Sequence, residues 1–381
     1  MRRIALTLLL AGAIVPQALP AQSSQFGVRG LGLPGREQSV RALGTGGAFA
    51  SFDGESSVSP ASLAFLGRIT ATFTILNDYR STATPAGEAS IRDPRFPQFL
   101  VGGPIRRFPL TLGLSYSNYT TRDYSLAFPA TITLRGQPVA VNDTIESRGG
   151  INDFRLAAAY RLGQRWVVGA GAHIITGSNR VEVRRTFADT NYVASRQRAE
   201  LSYAGFGMSV GVIGQFGEVL MVSAMARTDG RVSLDRDSTE VGKVDLPITV
   251  GGAARLRITP KLHVAGQALY RNWSTANDDL VALGGTGAAN TLEASGGFEF
   301  TPDPRRPYKR PIRLGVRYAE LPFPLTAGES ASEYGVSLGS GLSFAAERAV
   351  IGVSVERAWR DQGAAYKETA WIVTAGVTVR P

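Results

Sequence analysis

Ala349-Val350-Ile351-Gly352-Val353-Ser354-Val355-Glu356 is the stretch that decides the fold. Ala349, Ile351, Val353 and Val355 alternate with Val350, Gly352, Ser354 and Glu356. Successive strand side chains point to opposite faces, so the first set makes one uninterrupted apolar face and the second a face that ends in a charge. Neighbouring stretches repeat the pattern: Ile312, Leu314, Val316 and Tyr318 stand against Arg313, Gly315 and Arg317, and Trp371, Val373, Ala375, Val377 and Val379 against Thr374, Gly376 and Thr378. A wall with lipid on one side and a polar lumen on the other requires this division.

Working outward, the alternation predicts strands near 68–78, 97–105, 109–119, 151–161, 165–177, 200–215, 218–228, 246–258, 261–273, 291–301, 311–320, 334–345, 348–359 and 369–380. That is about fourteen, an even number of the kind single-chain bacterial barrels use. Short joints (106–108, 162–164, 216–217, 259–260, 346–347 and a longer Pro302 to Arg310) alternate with long segments at 79–96, 120–150, 178–199, 229–245, 274–290, 321–333 and 360–368. This asymmetry is expected of periplasmic turns and extracellular loops. Tyr116, Tyr160, Trp166, Tyr318, Trp359 and Trp371 fall near strand ends, where an aromatic girdle sits. The reading is an all-β transmembrane antiparallel barrel over 68–381.

The N-terminus predicts export. Met1-Arg2-Arg3 is a basic n-region, Ile4 to Val15 is apolar and Leu19-Pro20-Ala21 offers a cleavage point, giving a signal peptide over 1–21. Hydrophobic residues form 44% of the chain, yet no later apolar run reaches the roughly 20 residues a spanning helix needs. With no cysteine and two histidines, there is no disulfide framework and little material for a metal site, and no cofactor is expected. Removing Arg2 and Arg3 lowers the formal charge from +10 to +8. In an exported protein those cations serve the lumen, the turns or anionic lipid, including lipopolysaccharide, and not nucleic acid.

Residues 22–67 lack strand alternation and are rich in Gly, Ser and Ala. A fourteen-stranded barrel has a lumen too wide for wall side chains to fill, so this segment is expected to pack inside it as a plug. Leu43, Phe49, Phe52, Leu63, Phe65 and Leu66 favour a packed element over a disordered tail.

Within this segment, Leu43-Gly44-Thr45-Gly46-Gly47-Ala48-Phe49-Ala50 leads through Asp53 to Ser59-Pro60-Ala61-Ser62-Leu63. It resembles the N-terminus of FadL-type long-chain fatty-acid transporters, with Ser59 and Ser62 where that family has asparagine and glycine; PorV-type scaffolds share the signature. The hairpin Leu246-Pro247 through Thr259-Pro260 to Trp273-Ser274 is similar to one in the same family. The resemblance implies a fourteen-stranded barrel with a hatch inside, built here around Leu43, Gly44, Gly46, Gly47, Phe49, Asp53, Ser59 and Pro60, and passive uptake of long-chain fatty acids or aromatic hydrocarbons across the outer membrane. The alternatives are a PorV-like secretion scaffold, a structural barrel or an outer-membrane lipid hydrolase.

Other motifs carry little. Gly30 to Gly35 fits a dinucleotide fingerprint without a preceding strand, and Gly207-Met208-Ser209-Val210-Gly211 fits a nucleophile elbow but lies on one long strand. Asp235-Arg236-Asp237 lacks the glycine and glutamate of a calcium loop. His173 and His263 face the lumen without an obvious Ser or Asp partner nearby in sequence, so no catalytic residue is expected. Alternation also turns Arg155, Arg255, Arg257, Arg271, Arg313 and Arg317 inward with Glu293, Glu299 and Glu356. Arg155, Arg271 and Arg317 are the candidates for holding an anionic amphiphile, since a guanidinium binds a carboxylate bidentately. Finally, Gly102-Gly103-Pro104 interrupts the second strand and marks a candidate lateral opening.

Overall fold

The computed structural model describes residues 24–84, 87–189, 191–326, 328–363 and 366–381; the expected leader over 1–21 lies outside them. Eighteen strands form one sheet: β1 Leu33–Pro34, β2 Thr70–Thr84, β3 Gly87–Pro104, β4 Leu110–Thr121, β5 Tyr124–Leu134, β6 Gln137–Leu162, β7 Trp166–Phe187, β8 Ser195–Phe216, β9 Leu220–Thr228, β10 Arg231–Arg236, β11 Thr239–Asp245, β12 Ile248–Thr259, β13 Leu262–Arg271, β14 Thr291–Phe300, β15 Ile312–Leu321, β16 Ala331–Phe344, β17 Ala349–Gln362 and β18 Tyr366–Val379. Fourteen of them close a barrel of antiparallel neighbours in the order β2-β3-β4-β6-β7-β8-β9-β12 and on to β18, which returns to β2 from Val379↔Ala71 to Lys367↔Ala83. Among the described residues no helix is long and apolar enough to cross a membrane.

Burial follows the alternation. Ile351, Val353, Val316, Trp371 and Val377 are exposed on the outer wall, while Ser354, Glu356, Arg313, Arg317 and Thr374 are buried toward the lumen. Exposed aromatics ring both ends of the apolar belt: Tyr79, Tyr334, Trp359 and Trp371 at one, Phe108, Tyr160, Trp166, Phe216 and Phe344 at the other.

The long connections depart from expectation. Residues 120–150 and 178–199 are largely strand: β5 pairs with the outer part of β6, and β7 and β8 run on together to Arg185↔Ser195. Residues 79–96 likewise belong to the β2–β3 hairpin, and β10 and β11 pair with each other beside β8. Beyond the apolar belt the inward face still alternates, with Val139, Val141 and Val181 buried, but the outward face is polar or charged, so the continuous apolar face that marks a strand in sequence ends although the hydrogen bonds continue. The longest hairpins share one end of the barrel, here termed the outer end.

Candidate functional site: the lumen and its plug

The chain from Ser24 to Leu66 packs inside the lumen, starting at its outer end. Glu368 on β18 accepts hydrogen bonds from Ser24 Oγ and Gln25 N, each 2.8 Å long. The segment then pairs with β4 through β1, Leu33↔Thr121 and Pro34↔Thr120. Deeper, Arg36 meets Glu356 at 2.5 Å, and a one-turn helix, Val40–Leu43, is capped by Ser39, whose Oγ accepts from Ala42 N. Arg41 forks onto Glu299, which also accepts from Arg313 Nε at 2.7 Å. At the inner end Glu55 pairs with Arg380, and a 3-10 turn, Pro60–Phe65, packs its leucine and alanines against Leu100, Ala157, Val167 and Ile213.

Glycine permits this closeness. A Cβ on Gly315 of the wall would lie 2.0 Å from Thr45 C, and one on Gly169 would lie 2.4 Å from Ala61 N. Gly46 and Gly47 take φ of +68° and +101°, a consecutive pair of left-handed conformations that side chains disfavour. The remaining expected hatch residues are placed in the same layer. Leu43, Phe49 and Asp53 are buried; the Phe49 ring has the guanidinium carbons of Arg255 and Arg41 at 5.8 and 5.9 Å, and Asp53 accepts from Ser39 Oγ. A Cβ on Gly44 would come 2.9 Å from Gly339 Cα, and Ser59 and Pro60 lie against Gly211.

Beside the plug a narrow cavity separates Pro34, Gly35, Arg36, Glu37, Gln38 and Val58 from the wall residues Tyr119, Met225, Arg227, Thr249, Leu269, Arg271, Trp273 and Glu293. Trp273 stands edge-on to Phe323, 5.1 Å between centroids, and belongs with Leu31, Ile151, Leu234, Leu246 and Leu280 to an apolar cluster. Of the three arginines expected to bind ligand, Arg271 lines this cavity, paired with Glu293 at 3.1 Å. Arg155 is buried and donates to Ser57 O and Ser115 Oγ, while Arg317 is held by Glu333 and Glu356. Sequence reasoning missed Arg36 and Arg227. Arg227 contacts Glu37 at 2.7 Å, Asp229 at 2.7 Å and Asp153 at 3.0 Å, and lies over the Tyr119 ring. Its sequence signal was only Arg227-Thr228-Asp229 at a strand end, and both other carboxylates are distant in the chain.

His173 has a partner on each ring nitrogen, neither of them near it in sequence: Nδ1 lies 2.8 and 3.0 Å from the Asp153 carboxylate and Nε2 lies 2.8 Å from Ser209 Oγ. The register of three adjacent strands unites them, with Arg155↔His173 and Gly171↔Ser209 as the cross-strand pairs. This is the hydrogen-bond order of a serine hydrolase triad. All three side chains are buried, and neither of the two cavities beside the plug is lined by Ser209.

The candidate opening at Gly102-Gly103-Pro104 is also differently built. Gly102↔Gly113, Gly103↔Leu112 and Pro104↔Thr111 are paired, and Gly102 also pairs with Thr70. Pro104 ends the strand, where its missing N–H is tolerated. A Cβ on Gly103 would lie 2.7 Å from Ile69 Cα, so this glycine gives room to the chain entering β2. The break in pairing lies further out. The β3–β4 ladder stops at Gln98↔Ser117, and beyond it the free edge of β4 is taken by β1.

Similar architectures occur among solved structures. A FadL homologue from Pseudomonas aeruginosa aligns with TM-score 0.62 at 12% identity, covering 91% of this chain and 99% of that one. The toluene transporters TodX of P. putida and TbuX of Ralstonia pickettii align with TM-scores of 0.58 and 0.57 at 12% and 14% identity, each covering 90% of this chain and 98% of the other. No protein-family model and no curated protein sequence matches the chain. The protein has the FadL-type barrel fold, and these neighbours are transport channels, not enzymes.

Proposed function

Taking the FadL-type barrel fold as its premise, we propose that the protein is an outer-membrane channel for passive uptake of hydrophobic or amphipathic small molecules, either long-chain fatty acids or aromatic hydrocarbons. The observation that carries this reading is the composition of the cavity between the plug and the wall. Tyr119, Met225, Leu269 and Trp273 supply an apolar wall, and Arg36, Arg227 and Arg271 supply cations beside it. Apolar lining with a few convergent polar groups is the usual make-up of a small-molecule site. The space is narrow, so an occupant requires Arg36 to Gln38 to shift, which couples binding to movement of the plug as a hatch. The seam between β3 and β4 beyond Gln98↔Ser117 supports a lateral exit there, covered by Leu33 and Pro34, in preference to one at Gly102–Pro104. Residues 22–67 act as the plug and 68–381 as the barrel.

The test is uptake of radiolabelled oleate and of toluene by cells lacking their own transporters. Expression should raise uptake of at least one substrate, and Trp273→Ala should reduce it. Arg271→Met should slow oleate and spare toluene if the cation reads a carboxylate. A PorV-like scaffold would raise neither.

The hydrolase alternative has one observation in its favour, the Ser209–His173–Asp153 chain. Burial of the hydroxyl in the wall beside the plug favours a structural role, in which the wall network continues through Arg227 to Glu37 and fixes the plug.

A further inference from the structure

The outer ends of β6, β7 and β8 carry a charged grid on the barrel's exterior. Along these strands Phe154, Leu156, Trp166, Val168, Ile174, Phe206, Met208 and Val210 are exposed and even-numbered, so they form the outward face. Arg148, Arg180, Arg184, Arg196 and Arg198 share that parity and continue the same face beyond the apolar belt, with Glu146, Glu182 and Glu200 among them. At ~3.3 Å per residue and a tilt of roughly 40°, Arg180 stands about 15 Å above Ile174. That is above the hydrocarbon, at the level of lipid headgroups and their first sugars.

The register makes the grid unfavourable by itself. Arg148 pairs directly with Arg180, and Arg184 with Arg196. Like charges directly opposite on one face destabilise a sheet. The acids compensate only in part: Glu182 is shared by Arg196 and Arg198, Glu200 takes Arg180 at 3.4 Å and Glu146 takes Arg148 at 3.6 Å, while Arg184 has no ion pair among the described residues. Arg148 and Arg180 keep 82% and 67% of their side-chain surface exposed. On β6, β7 and β8 five guanidinium groups stand against three carboxylates; Asp235 and Asp237 border the grid only at its β8 edge, against Ser202 and Glu200, so the β6–β7 part keeps three arginines against two glutamates.

We infer that this grid is a binding site for the phosphorylated headgroup of lipopolysaccharide, with phosphates seated between the opposed arginines and acyl chains lying on the apolar strip below. Arginine suits the role because its planar fork binds phosphate bidentately. The inference rests on the outer-membrane reading.

The experiment is native mass spectrometry of the full barrel with lipid A carrying two phosphates, with the same lipid dephosphorylated, and with excess inorganic phosphate as competitor. The wild type should retain the bisphosphorylated lipid, and inorganic phosphate in excess should not displace it. The triple variant Arg148→Gln, Arg184→Gln and Arg196→Gln should bind about tenfold more weakly, from three exposed contacts of roughly 0.5 kcal/mol each. Arg184→Gln alone, which breaks no ion pair, should lose about twofold and serves if the triple variant misfolds. Equal binding by wild type and variants, or equal binding of the dephosphorylated lipid, overturns the site. Failure to form a heat-modifiable, detergent-stable barrel would instead overturn the membrane reading.

Discussion

His173 Nε2 stands 2.8 Å from Ser209 Oγ on the neighbouring strand, in a layer closed from below by Ser59 and Pro60 of the plug. A nucleophile with an oriented base still needs a substrate within reach, and Ser209, His173 and Asp153 are all buried. A fluorophosphonate probe should therefore leave Ser209 unlabelled in the folded barrel, and Ser209→Ala should transport at the wild-type rate. His173→Ala, by stranding buried Asp153 and Ser209, should cost about 1–3 kcal/mol of stability. Labelling of Ser209 without denaturant would revive the hydrolase reading.

Arg227 ties the plug to the wall through Glu37 and simultaneously balances Asp153 and Asp229. Removing one member of a buried ionic cluster leaves the others uncompensated, at roughly 3–5 kcal/mol. Arg227→Met should lower the unfolding temperature and expose residues 24–67 to protease added to the purified barrel. A protected plug in that variant would show that its anchorage lies elsewhere.

Gly169 faces the backbone of Ala61 with no room for a side chain. Gly169→Val keeps the wall ladder but expels Pro60 and Ala61, an overpacking cost of about 1–3 kcal/mol. In planar bilayers it should conduct ions where the wild type is nearly silent. A silent variant would mean that the plug relaxes without opening a water path.

Hydrogen bonds from Arg196 and then Arg198 hold the Glu182 carboxyl at about 2, below its usual 4.5, on the hairpin outside the membrane. A depressed folded value adds stability above the unfolded value and loses it as pH falls toward 2. Carbon-13 titration should find Glu182 ionised at pH 3.5, and a midpoint near 4.5 would mean that solvent screens these contacts.

Sequence alone made the barrel legible because the lipid face is continuous: Ile351, Val353 and Val355 or Trp371, Val373 and Ala375 leave no other reading. It failed at Ser178 to Phe187 and at Ser195 to Ala199, where strands persist without an apolar outer side. The plug was legible as composition, in Gly46-Gly47 and Phe49, but its partners were not. Arg227, Glu37 and Asp153 are separated by long stretches of chain, and register alone brings them together. The partners of His173 were hidden for the same reason, since Asp153 and Ser209 reach it across strands and not along one.

The direction of the N-terminal segment constrains how such a molecule can be made. Ser24 is moored at the outer end to Glu368 and Arg360, strands β17 and β18, yet Leu66 has returned to the inner end before β2 begins. Once β18 has zipped onto β2, that segment would have to thread from the inner end up a closed bore and find its wall contacts there. The order expected is therefore a wrapping, in which the guest is laid down first and the last seam seals around it, so substitutions in 24–67 should change the rate of closure as well as the stability of the closed form.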